Sequence, residues 1–153
     1  MVAATLALVG LLLSLYLWLW KIGVVGVLVC GTGTCERVQT SSYSVILGLP
    51  VALIGVLGYL ALLVVSIVGI QPRWSGDPVP TQLLVALSGA GVLFTIYLSY
   101  IEGFVLNAWC RWCLGSAAII AAIFATAVIG LKNGKREEGR GKGTAAVGTA
   151  APR

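Results

Sequence analysis

The run VALIGVLGYLALLVVSIVGI, Val51 to Ile70, holds twenty residues and not one charge. At about 1.5 Å per residue a helix of this length crosses the roughly 30 Å hydrocarbon core of a bilayer. Three further runs meet the same demand, at about Val2–Trp20, Leu83–Ile101 and Ala108–Leu131. The whole chain agrees: of 153 residues, 59% are hydrophobic and only 10% charged, with a mean hydropathy of +1.01. A water-soluble domain of this size needs a far more polar exterior. The pattern predicts an all-α membrane protein, a bundle of four transmembrane helices.

The first run is read as a retained helix. It lacks a basic leading segment, its apolar stretch is too long for a signal peptide, and no small-x-small cleavage site follows. Trp18 and Trp20 are expected at the membrane interface with Lys21 reaching into the headgroups. Apolar residues resume at Ile22–Val29, which suggests a helix continuing past Lys21.

Residues 1–131 therefore form the membrane domain. Residues 132–153 are rich in Gly, Ala, Lys and Arg without apolar periodicity, and are expected to be a disordered basic tail. The net charge of +5 comes mostly from this tail. It reads as a positive-inside anchor, not as a nucleic-acid arm. Four spans put both termini and the Gln71–Pro80 loop on one side. That side carries Arg73, Lys132, Lys135, Arg136, Arg140, Lys142 and Arg153, against Lys21, Arg37 and Arg111 opposite. Both termini are expected in the cytoplasm, with all four cysteines at the outer face of the cell membrane. That compartment permits disulfides.

The cysteines come as two close pairs, CGTGTC (Cys30 and Cys35) and NAWCRWCL (Cys110 and Cys113), each beside an apolar run. Packing cysteines scatter along helix interiors, so packing fits this arrangement poorly. Four thiolates match the ligand count of a structural zinc site, but the gap in CGTGTC is wide for a zinc knuckle and an outer site competes with oxidation. No metal is expected. Thiol–disulfide chemistry fits best. Asn107 reads as an N-cap with Ala108–Trp109 opening the last helix, which sets Cys110 and Cys113 one turn apart on one face. The helix start and Arg111 favour a thiolate there. Gly31 and Gly33 loosen the other loop, so Cys30 and Cys35 either pair with each other or reach elsewhere. A mobile pair beside a helix-mounted pair suggests a relay through mixed disulfides.

The stretch CGTGTCERVQTSSYSVILGLPVALIGVLGYL, followed by an isolated C-x-x-C opening the last helix, resembles the vitamin K epoxide reductase family in its prokaryotic single-domain form. Cys30, Cys35, Val38, Ser41, Gly48, Pro50, Gly55, Tyr59, Cys110 and Cys113 carry the likeness, which spans roughly Leu28 to Ser116. The resemblance implies a four-helix bundle around a quinone of the ubiquinone or menaquinone type, with a short interfacial helix after the first loop, here Glu36–Leu47. It further implies that Cys110–Cys113 is the active-site disulfide, with Cys113 passing electrons to the quinone. Cys35 would exchange with Cys110, and Cys30 would meet a thioredoxin-fold partner. Ser41 and Ala117 would border the quinone. No thioredoxin-like domain follows in this sequence, so that partner is expected in trans.

Two departures concern the substrate. Val51 stands where the animal enzymes carry an asparagine, and Ala117 where they carry a tyrosine, which favours an ordinary quinone over vitamin K epoxide. The four-helix quinone-linked thiol oxidases of the DsbB type do similar chemistry, but their C-x-x-C comes first in the chain. A non-enzymatic structural or metal-binding membrane protein is the alternative of another class. It predicts no intramembrane redox site, and Glu102 reads as an interfacial residue at a helix end.

Overall fold

The computed structural model describes residues 1–26, 34–46, 48–74 and 77–148, the side chains at 34, 135 and 137–148 excepted. Its elements are α1 (Val2–Lys21), α2 (Thr34–Thr40), a 3₁₀ turn at Ser42–Ser44, strands β1 (Val45–Ile46) and β2 (Leu49–Pro50), α3 (Val51–Ile70), α4 (Val79–Tyr100), a π-helical turn (Ile101–Val105) and α5 (Arg111–Gly148). Four helices are long and apolar enough to cross a membrane: Val2–Lys21, Val51–Ile70, Val79–Val105 and Arg111–Gly134. This is the all-α membrane bundle expected from the sequence. Neighbouring spans pack α1 on α3, α3 on α4, α4 on α5, and α5 back on α1, closing a ring.

Small residues set the closest seam. Gly10 and Ser14, four apart on α1, meet Tyr59 and Gly55, four apart on α3, in antiparallel register. A Cβ at Gly10 would lie 2.2 Å from the Tyr59 ring, and one at Gly55 would lie 3.2 Å from the Ser14 Cβ. Apolar side chains gain nothing by leaving lipid for one another, so close backbone approach of this kind is what holds membrane helices together. The Ser14 hydroxyl is satisfied within its own helix, donating to the Gly10 carbonyl at 2.9 Å. Tyr59 in turn bridges to α5 through its hydroxyl, 2.9 Å from both the carbonyl and the hydroxyl oxygen of Ser116.

The ends of the elements differ from expectation in four places. First, α1 stops at Lys21 and does not continue. Gly23, with φ +81, lets Val24 N–H reach the Leu19 carbonyl and Gly23 N–H the Trp20 carbonyl, both at 3.0 Å, which is a Schellman closure. Second, Lys21 turns inward, donating to the Gln39 carbonyl and, at 2.8 Å, to the Ser44 hydroxyl. It ties α2 and the 3₁₀ turn to the end of α1. Third, the short helix covers Thr34–Thr40 only. Thr40 and Ser41 hydroxyls bond back to the Glu36 and Val38 carbonyls at 2.8 and 2.7 Å, competing with the helix ladder as such residues do. Fourth, α5 runs on to Gly148 through the stretch expected to be disordered. Its Lys, Arg and Glu residues are good helix formers, and propagating an existing helix is far easier than starting one.

The α1–α3 seam yields a test. Gly10→Ala should lower thermal stability in detergent by about 1–3 kcal/mol through overpacking. Gly58→Ala on the same helix pair meets nothing within 4 Å and should be neutral or mildly stabilising.

Candidate active site

Cys110 is the N-cap of α5. Its carbonyl accepts the first intrahelical bond, from Leu114 N–H at 2.9 Å. Its sulfur accepts from Cys113 N–H at 3.3 Å, taking the part that a serine oxygen usually plays. The helix therefore starts at Arg111, three residues later than expected. Asn107 is not the cap, because its backbone is left-handed with φ 46. The chain reaches Cys110 through the π turn, closed by Leu106 N–H to the Ile101 carbonyl at 2.9 Å, and then through Ala108 N–H to the Glu102 carbonyl at 3.1 Å. Single π turns inside α-helices recur at functional sites.

That turn carries Glu102 inward. The residue is only 4% exposed. One carboxylate oxygen accepts the Cys110 amide at 3.2 Å, and the carboxylate also lies beside the Cys113 sulfur. A Glu102 oxygen, Cys110 Sγ and Cys113 Sγ all lie within 4.8 Å of one another. From the opposite side Gln39 of α2 donates its side-chain amide to Cys113 Sγ at 3.8 Å. The hydrogen bond between the two cysteine side chains holds the Cys110 thiol below its ordinary value, helped by the amides at the helix start. Burial and the Glu102 charge oppose this and are outweighed. Above that lowered value Cys110 is a thiolate, and its reactivity is lost as the pH falls through it.

Cys110 and Cys113 are free thiols, whereas Cys35 is disulfide-bonded. Cys30 lies outside the described residues. Cys35 and Cys110, both fully buried, share one cluster with Val38 and Ala108, bordered by Leu106, Trp112 and Cys113. The Tyr16 ring of α1 lies 5.5 Å from that of Trp112 and steadies the cluster. The four-thiolate zinc alternative needs Cys35 as a thiolate, and a sulfur engaged in a disulfide is not one.

Cys113 faces a different space. A cavity of about 460 Å³ runs inside the ring of helices, lined mostly by apolar side chains such as Leu13, Leu17, Ile54, Leu62, Phe94 and Ile120. Its size falls in the roughly 300–1,000 Å³ of small-molecule sites. Gln39, Glu102, Cys113 and Ser116 also line it, together with Tyr59 and Val51. Gly58, Leu87 and Ala90, all exposed, border the cavity from α3 and α4. Of the residues expected around a quinone, Cys113 is on the wall, and Ser41 and Ala117 are not. The Ser41 hydroxyl is turned back onto α2. On α5 the cavity-lining stripe is Cys113, Ser116 and Ile120, which passes Ala117 on its other side. Gln39 and Glu102 were not foreseen as site residues, and Gln39 carried a signal: Cys35, Val38 and Gln39 stand at i, i+3 and i+4, one face of α2.

A dithiol at a helix start, one sulfur buried and the other on a cavity wall, set between a second cysteine and an apolar cavity inside four membrane spans, defines a membrane thiol–disulfide redox protein. The chain belongs to the vitamin K epoxide reductase family, whose model matches residues 1–128. Membership makes it a multi-pass membrane oxidoreductase of the thiol–disulfide type. The family is associated with quinones and thioredoxin-like partners.

The capping geometry predicts a pH effect. In reduced protein, modification of Cys110 by a small methanethiosulfonate should have its midpoint below the ordinary cysteine value. Cys113→Ala removes the side-chain hydrogen bond and should move that midpoint upward, as followed by mass spectrometry across a pH series.

Proposed function

We propose that this protein oxidises a thioredoxin-fold thiol protein and delivers the electrons to a membrane quinone, so supporting disulfide formation at the outer face of the membrane. The observation that carries the reading is that the C-x-x-C pair faces two ways. Cys110 shares a buried cluster with Cys35, and Cys113 lines the apolar cavity.

In this reading a partner dithiol reduces the loop disulfide of Cys30 and Cys35 and is itself oxidised. The Cys35 thiolate then attacks Cys110 in the Cys110–Cys113 disulfide, and Cys30 resolves the mixed disulfide. Cys110 and Cys113 are left as the dithiol. Reoxidation forms their S–S bond and releases two electrons and two protons, which the quinone accepts when bound.

The chain's own residues fit such an acceptor. The cavity is apolar along its length, and its polar end is formed by the Gln39 amide, the Glu102 carboxylate and Cys113. Val51 presents an aliphatic side chain to it, which supports ubiquinone or menaquinone over vitamin K epoxide as substrate. The charge asymmetry supports cytoplasmic termini and an outward cysteine end. A membrane-impermeant thiol reagent should then label reduced Cys30 in intact cells. Labelling only after the membrane is opened would reverse the orientation.

Dividing the cysteines tests the relay. Cys30→Ser and Cys35→Ser should lose activity with a protein dithiol but keep most of it with dithiothreitol, which reaches the inner pair directly. Cys113→Ser should lose both activities. Cys30→Ser should accumulate a Cys35–Cys110 disulfide, because its resolving thiol is gone. Equal loss of both activities in every variant would refute the division of labour.

A further inference from the structure

An ionised carboxylate inside an apolar bundle is expensive unless it is paired or put to use. Glu102 has no described cation to offset it. Lys21 is spent on Gln39 and Ser44, and Arg111 points outward, exposed. Glu102 accepts the Cys110 amide, lies within 4.8 Å of both cysteine sulfurs, and lines the cavity as well. The carboxylate is thus beside the reacting thiol and the space in which an acceptor sits.

The proposed reaction has a proton problem at that place. Oxidising the dithiol breaks two S–H bonds, forms one S–S bond, and moves two electrons and two protons to the acceptor. Sulfur gives its electrons readily only as thiolate, and the surrounding cavity wall is largely apolar. A base must stand between the sulfurs and the acceptor oxygens.

We propose that Glu102 is that base: its carboxylate takes the Cys113 proton as the thiolate forms and gives it up to an acceptor oxygen, then passes on a second proton, from Cys110 where that thiol is protonated or from solution where it is already the thiolate. Both sulfurs lie within 4.8 Å of its oxygen, which allows the two protons to pass in turn. The inference rests on the quinone reading and adds the route of the protons. The titratable groups facing Glu102 are Cys110 and Cys113 from α5, with Tyr59 of α3 on the same cavity wall; α2 offers the neutral Gln39, and α1 offers Ser14 and Leu17. Acceptor reduction should therefore show an acid limb, falling as the carboxylate takes up a proton from solution.

Two measurements decide it. The first is reduction of a short-chain benzoquinone by the full protein in detergent, with dithiothreitol as donor, over a pH series. Glu102→Gln keeps size and an oxygen for the Cys110 amide, yet should slow turnover about 100-fold and erase the acid limb. Glu102→Asp should keep the limb at a reduced rate. The second needs no quinone: the rate at which N-ethylmaleimide modifies Cys113 in reduced protein. If Glu102 takes the thiol proton, Glu102→Gln should slow this roughly tenfold, and Glu102→Asp should restore most of it. If the carboxylate only repels the thiolate, Glu102→Gln should speed it. Faster modification, or a wild-type rate and pH profile in Glu102→Gln, would overturn the proposal. A wild-type protein that reduces no quinone would instead overturn the acceptor reading, and the maleimide rates would still decide the role of Glu102.

Discussion

The hydrogen bond from the Cys113 amide to the Cys110 sulfur is where the fold and the chemistry meet. A helix start leaves four amides without intrahelical partners, and inside an apolar bundle those amides cannot turn to water. A sulfur at the cap satisfies one of them, and the same bond stabilises that sulfur as an anion. Capping substitutions of this kind typically change stability by about 1 kcal/mol, so this sulfur also helps to hold the last span in place. The π turn before it then follows as a geometric need. It consumes an extra residue and brings the Glu102 carboxylate to the Cys110 amide.

Around that point the bundle is braced by a few polar ties. Lys21 fastens the end of α1 to α2, Gln39 reaches from α2 to Cys113, and Tyr59 spans from α3 to Ser116. The last two join elements that are distant in sequence. Together they keep the polar end of the cavity closed around Cys113 while the seams of small residues bring the helices near. The cavity is the space left between the Gly10–Tyr59 seam on one side and the α4–α5 seam on the other, where Gly91 gives way to Ile120.

Much of this was legible in the sequence, and the failures have physical causes. Val51–Ile70 matches α3 residue for residue because a charge-free run between a proline and a loop leaves no other boundary. The start of α5 was misplaced because asparagine outranks cysteine as a cap in general, whereas here Asn107 is held left-handed by the turn before it. Glu102 looked interfacial because it stands at the end of an apolar run; only the π turn rotates it inward. Ala117 was expected at the site from the resemblance, whereas on α5 the cavity wall carries Ser116. Inward orientation is a property of packing, and a single sequence carries it weakly. The division into two cysteine pairs, by contrast, needs only the order of residues along the chain.

The exposed border of the cavity at Gly58, Leu87 and Ala90 bears on how the proposed acceptor would be supplied. A molecule entering there would come sideways from the hydrocarbon phase, so its occupancy would follow its mole fraction in the bilayer and not an aqueous concentration. Under the proposed quinone reading diffusion would be two-dimensional, and saturation should track the composition of the membrane around the protein.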